Sequence, residues 1–189
     1  MDVESNENIG IKPKKRKNVK AKGNHFELVA TKYIVEKYNE HFPEEKIVYG
    51  EDIRRTPGSG GYKDTLEWKN DLIIMDKKGN TSKFPERFKF GVECKAGYDW
   101  DISDIPKKCK SSIIFQATDQ CEENITQNSE ERPLVVLKRD RDIMYAIFRD
   151  LPIIDKFSFI IKFDYKEFVY YMVSFEEFLD VWFMKIKTE

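Results

Sequence analysis

Glu93 and Lys95 stand one residue apart within Arg87–Ala96, a stretch whose alternation predicts a β-strand. Phe88, Phe90, Val92 and Cys94 then share one face, an apolar one, and Lys89, Gly91, Glu93 and Lys95 share the other. A carboxylate and an ammonium on one side of an anchored strand end can act together. A hard divalent cation held by carboxylates polarises a phosphate and acidifies a bound water, while a lysine steadies developing negative charge. Asp71, which opens Asp71-Leu72-Ile73-Ile74-Met75, is the acid that a hairpin could return beside Glu93. Two carboxylates in close approach cost free energy unless a cation compensates them. Alone, Glu-x-Lys reads more readily as a surface pair, and Asp71 as a strand-end aspartate. Their combination points to a magnesium site suited to phosphodiester hydrolysis.

These residues need elements to position them. From Asn24 to about Tyr38, the residues Phe26, Val29, Ala30, Tyr33, Ile34 and Tyr38 recur at helical spacing and predict an amphipathic helix, closed off by Pro43. Lys46–Thr56 alternates like a strand. Thr56-Pro57-Gly58-Ser59-Gly60-Gly61 then continues neither strand nor helix and is read as a loop. Trp68–Asp76 predicts a second strand, with Lys77-Lys78-Gly79-Asn80 as the turn of a hairpin leading to the third. A helix is expected from about Pro106 to Asn124, where Ile113, Ala117 and Cys121 repeat every fourth residue. Strands over Pro133–Arg139 and Asp142–Arg149 follow, then a β-rich stretch from Phe157 to Val173. Ser174-Phe175-Glu176-Glu177 is a capping box for a last helix with Phe178, Val181 and Trp182 on one side. No repeat is visible, and the order predicts one α/β domain with a central mixed sheet flanked by helices.

Composition narrows the classes. The chain has 189 residues, 40% hydrophobic and 35% charged, with a formal net charge of −1, so bulk charge names no partner. Ile11–Lys22 holds seven basic residues and no acid; without residues 1–25, 26 basic residues face 31 acidic ones. Residues 1–23 are therefore read as a disordered basic arm, and 24–189 as the folded domain with a C-terminal β/α extension from about residue 150. Lys14–Lys17 also matches a nuclear-import pattern, although a solvated tail explains it as well. Cys94, Cys109 and Cys121 form no CxxC pair, which argues against a disulfide framework or a tetrahedral zinc site. Two histidines are too few for a multi-histidine centre, and neither a Gly-x-Ser-x-Gly elbow nor a phosphate loop is present. No apolar run nears the roughly 20 residues of a membrane span, so neither membrane insertion nor export is expected.

Glu27 on the first helix, then Arg55-Thr56-Pro57-Gly58-Ser59-Gly60, Asp71 and Glu93-Cys94-Lys95 form an ordered series. It resembles the archaeal and phage Holliday junction resolvases of the PD-(D/E)xK nuclease superfamily over roughly Gly23 to Arg149. Gln120, on a helix before the Pro133 strand, extends the series; Asn70 replaces the superfamily's proline, and the stretch after Arg149 does not map. The resemblance implies a restriction-endonuclease-like fold and a Mg²⁺-dependent DNA endonuclease, with Mn²⁺ as a substitute ion. It implies a homodimer that cuts four-way or other branched DNA in recombination, replication or repair. Asp71, Glu93 and the Cys94 carbonyl would bind the ion, with Glu27 completing the acidic cluster. Lys95 would position or activate the attacking water, Ser59 would approach the scissile phosphate, and Gln120 would orient water or phosphate.

Two of these roles have competitors. Asn24-His25-Phe26-Glu27 is itself a capping box, and Gln116 lies one helical turn from Gln120. Arg54, Arg55, Lys63, Lys138, Arg139 and Arg141 are the candidate contacts to the DNA backbone, together with Lys107, Lys108 and Lys110. The aromatics after Phe157 suit a core or a subunit interface. A related nuclease for flaps, single strands or duplex DNA, in repair or restriction, is the nearest alternative; a non-catalytic DNA-binding module on the same fold is the other. The expected location is the cytoplasm or nucleoid, with a virus- or phage-encoded origin among the options.

Overall fold

The computed structural model describes residues 19–56, 70–75, 82–96, 100–107, 111–125, 131–139, 142–158 and 160–188, with side chains from residue 23 onward. Helix α1, Val19–His41, buries Phe26, Ala30, Ile34 and Tyr38, the stripe on which its amphipathic reading rests. It begins at Val19 rather than Asn24, so the last residues of the basic stretch are helical. Asn24 lies inside the helix and cannot be its N-cap, which removes the capping-box reading of Glu27. The helix stops at His41 because Phe42 precedes Pro43, and a residue before proline is pushed out of helical conformation.

The alternation over Lys46–Thr56 predicts a longer strand than the one that forms. Gly50 adopts φ +90°, and the Val48 N–H donates to Asp52 Oδ2 at 2.8 Å, so a turn occupies this segment. Only Ile53–Arg55 remain as β1, paired antiparallel with β2, Leu72–Ile74. Among the described residues β2 and the third strand form no ladder, and Lys77-Lys78-Gly79-Asn80, expected as the hairpin turn, lie outside them. A short helix, α2 (Phe84–Arg87), with Pro85 in its first turn, takes the start of the expected third strand, and β3 runs from Phe90 to Ala96.

The main sheet holds β3, β4 (Arg132–Lys138), β5 (Met144–Arg149), β6 (Ile161–Tyr165) and β7 (Phe168–Ser174) in the order β3-β4-β5-β7-β6. β3 and β4 are parallel, with Glu93 opposite Val135 and Ala96 opposite Lys138; the other pairs are antiparallel. Both faces are covered, which is why β4 reads as an almost unbroken apolar run. Leu134, Val136 and Phe148 pack with α1 and with α5 (Phe175–Thr188) on one face. Val135, Leu137 and Ile147 pack with α4 (Ile113–Ile125) on the other. The helix expected over Pro106–Asn124 is divided into α3 (Asp104–Lys107) and α4. Ser112 explains the second start: its carbonyl accepts the Gln116 N–H at 3.1 Å and its hydroxyl donates to Asp104 Oδ2 at 3.1 Å.

The stretch after Arg149 joins this sheet, because β7 lies between β5 and β6. At the start of α5, the Glu177 N–H donates to Ser174 Oγ at 3.1 Å, as the capping box predicts. Glu177 Oε1 does not turn back on Ser174; it accepts the Ser158 N–H at 2.5 Å. α5 is tied to α1 by Lys37 Nζ and His41 Nε2, 3.2 and 2.9 Å from the Asp180 carboxylate. Glu122 fastens α4 to the sheet by accepting two bonds from Arg149, at 2.6 and 3.0 Å, and one from the Tyr170 hydroxyl at 2.8 Å. Among the described residues no helix is long and apolar enough to cross a membrane.

Candidate active site

β3 is an edge of the five-stranded sheet, and an edge leaves backbone groups in need of partners. Asp71 supplies them. Its N–H donates to the Val92 carbonyl at 2.9 Å, and its Oδ2 accepts the Cys94 N–H at 2.8 Å. The side chain thus stands where the carbonyl of a neighbouring strand would. Just after β1, the Thr56 N–H donates to the Asp71 carbonyl at 2.8 Å and the Thr56 hydroxyl to the Asn70 carbonyl at 2.5 Å. Since the N–H and C=O of one residue leave an extended strand on the same side, the Cys94 carbonyl also faces this open edge. The Cys94 thiol points away from it, into the core shared with α1.

Glu93 has 0% exposure. Its Oε1 is ion-paired with Lys95 Nζ, and its Oε2 is buried with no hydrogen bond among the described residues. Burial, and then the negative charge of Asp71, push its carboxyl up to about 8 against the pull of Lys95. Glu27 reaches the same region from α1, at 6% exposure, with its Oε2 3.3 Å from Arg55 Nε. Burial, reinforced by the charges of Asp71, Glu93 and Glu27, holds the Cys94 thiol well above its ordinary pKa. Asp71 and Glu93 stand at this strand end, and the Glu27 carboxylate, nearby on α1, is turned to Arg55.

Among the described residues no three acidic, histidine or cysteine side chains stand close enough to hold an ion by themselves. Asp71 and Glu93 offer a pair of carboxylates, with the Cys94 carbonyl as a further oxygen. An all-oxygen set suits Mg²⁺ or Mn²⁺ rather than a thiolate-seeking metal. The bare Glu93 Oε2 is the buried atom that such a cation would satisfy. The residues present fit a hard divalent cation.

Other expected residues are placed less centrally. Ser59, Lys63, Lys108, Lys110 and Arg141 lie outside the described residues. Arg55 is turned toward Glu27, and Arg54 is half-buried beside it on β1. Lys138 ends β4 opposite Ala96, at the same rim as Lys95, while Arg139 is exposed 3.5 Å from Asp101. Gln116 and Gln120 are both exposed on α4; Gln116 Nε2 donates to the Ser111 carbonyl at 3.1 Å, and no hydrogen bond among the described residues ties Gln120 to the acids. Thr56 and Asn70, which the sequence places in the series without a role, hold the backbone around Asp71. The available signal was Gly91, because a glycine inside a strand marks the close approach of another group. An added Cβ there would lie 2.8 Å from Asn70 Nδ2.

No curated protein and no solved structure matches the chain. One family model does, over residues 18–188, a span that takes in Glu27, Asp71, Glu93, Lys95 and every strand of the sheet. The mixed sheet flanked by helices is the PD-(D/E)xK nuclease architecture, and the chain belongs to the family described as "Phage putative PDDEXK endonuclease".

Proposed function

We propose that the protein is a Mg²⁺-dependent endonuclease that hydrolyses DNA phosphodiester bonds at four-way junctions as a homodimer, with Mn²⁺ able to replace Mg²⁺. The observation that carries this reading is the Glu93 carboxyl, wholly buried beside Asp71 with one bare oxygen. Keeping both acids ionised in that position is costly unless a cation joins them. Asp71, Glu93 and the Cys94 carbonyl would hold the ion, and Glu27 of α1, paired with Arg55, would add negative charge to the site. When bound, the ion polarises the scissile phosphate and acidifies a water. Lys95, held at the site by Glu93, orients that water and steadies negative charge on the phosphate.

Ser59 approaches the scissile phosphate, and Gln120 orients water or phosphate. Arg54, Arg55, Lys63, Lys138, Arg139 and Arg141 follow the DNA backbone. Phosphate contacts fix register without reading bases, which suits an enzyme that selects DNA shape. A symmetric pair of subunits would cut a junction on two strands. The preference for junctions rests on the combination of Arg55–Gly60 with Glu93-Cys94-Lys95.

The test is cutting of a labelled four-way junction, a matched duplex and a flap, in Mg²⁺ and then in EDTA. Paired, symmetric, metal-dependent cuts confined to the junction are expected. Equal cutting of all three would replace the junction reading with a general nuclease, and binding without cutting would leave a DNA-binding module. Asp71→Asn should cost more activity than the roughly 10–100-fold typical of an outer-shell residue, with DNA affinity retained.

A further inference from the structure

We propose that Asn70 is the positioning residue for the Asp71 carboxylate, acting through a clamp that joins its side-chain amide to Glu131 across the bare backbone of Gly91. This rests on the reading of Asp71 as a metal ligand. Asp71 belongs to a two-stranded ribbon, β1 with β2, that shares no ladder with the main sheet. Two hydrogen bonds fasten the ribbon to the edge of β3, Asp71 N–H to the Val92 carbonyl and Cys94 N–H to Asp71 Oδ2, and both pass through Asp71 itself. The packing of Ile53 and Leu72 in the core and the Arg55–Glu27 pair hold the ribbon's place under α1, and an offset bond beside Asp71 fixes its bearing on β3.

Asn70 supplies the offset restraint. Its Nδ2 donates to Glu131 Oε2 at 2.9 Å, and Glu131 immediately precedes β4, so the tie reaches the second strand of the sheet. The Thr56 hydroxyl holds the Asn70 carbonyl from the other side. An added Cβ at Gly91 would lie 2.8 Å from Asn70 Nδ2, 3.1 Å from its Oδ1 and 2.8 Å from Ile125 Cγ1, so the amide lies flat on the strand and is trapped beneath α4. Its Oδ1 is buried with no hydrogen bond among the described residues. Turning the amide over would set that oxygen against the Glu131 carboxylate, so the donor must point as it does. Where a proline would restrict the backbone before the acid, this chain uses a hydrogen-bonded amide fixed to a neighbouring strand.

The experiment uses the full chain with Mn²⁺ as probe, comparing Asn70→Ala, Glu131→Ala, Glu131→Gln and Asp71→Asn by calorimetric Mn²⁺ binding, by the Mn²⁺ concentration that half-saturates junction cutting, and by thermal melting. Asn70→Ala and Glu131→Ala should weaken Mn²⁺ binding about 10–100-fold and raise the half-saturating concentration equally, with cutting largely restored at saturating Mn²⁺. Glu131→Gln keeps an acceptor for the amide and should fall between wild type and Glu131→Ala. A lowered melting temperature with unchanged Mn²⁺ affinity in Asn70→Ala and Glu131→Ala, while Asp71→Asn loses binding, would overturn the clamp and spare the site. Unchanged Mn²⁺ affinity in Asp71→Asn would overturn both. Should Asn70→Ala fail to fold, the contrast between the two Glu131 variants decides: equal Mn²⁺ affinity in both refutes the clamp.

Discussion

A carboxyl group without solvent exposure must give up its charge or find compensation, and among the described residues the one ammonium paired with Glu93 is that of Lys95, at one of its two oxygens. In an unfolded chain it titrates near about 4.3; folded and metal-free, it is pushed up to about 8. Between those values the folded protein holds more protons than the unfolded chain. Its contribution is therefore full at pH below the unfolded value and is lost as pH rises through the folded one. In EDTA, the melting temperature should fall as pH rises from about 5 to about 9, and Glu93→Gln should flatten that slope. Mn²⁺ should raise the melting temperature most at the alkaline end, where the carboxylate is already charged. Identical pH slopes for wild type and Glu93→Gln would remove Glu93 from the charge balance of the site.

At the scale of elements, β3 is supported by a layer that lies far away in sequence. Phe178 of α5 is fully buried, with its ring 5.6 Å from Phe90 at the start of β3 and 5.1 Å from Phe148 of β5. Phe178→Ala should cost about 3–5 kcal/mol, read as a lower urea midpoint with an unchanged slope. A loss below about 1 kcal/mol would mean that α5 does not brace the strand that carries Glu93 and Lys95. The helix stripes of α1 and α5 were legible because buried apolar residues recur every three or four positions. The extent of β1 was not, since Gly50 and Asp52 make a turn inside the alternating stretch Lys46–Thr56 and leave only Ile53–Arg55 as strand, and a turn of that kind overrides periodicity.

For the whole molecule, residues 1–18 carry five basic and three acidic side chains, while the chain as a whole is almost neutral. Removing them should weaken DNA binding and reduce the salt dependence by a slope of about 0.9 for each phosphate that the segment neutralises; an unchanged slope would exclude the segment from the DNA interface. The sequence by itself determined this charge distribution, the types of most elements, and the alternation that sets Glu93 and Lys95 on one side of an anchored strand. Those features rest on composition and short-range periodicity, which a single chain displays directly. Tertiary structure alone decided that Asp71 meets β3 by capping its open edge instead of through a hairpin. It also decided that Glu27 is buried facing Arg55 rather than capping a helix, and that the strands after Arg149 complete the sheet. Each of these depends on which distant strands pair and which edge is left open, and local periodicity, which specifies faces and not partners, carries no record of that choice.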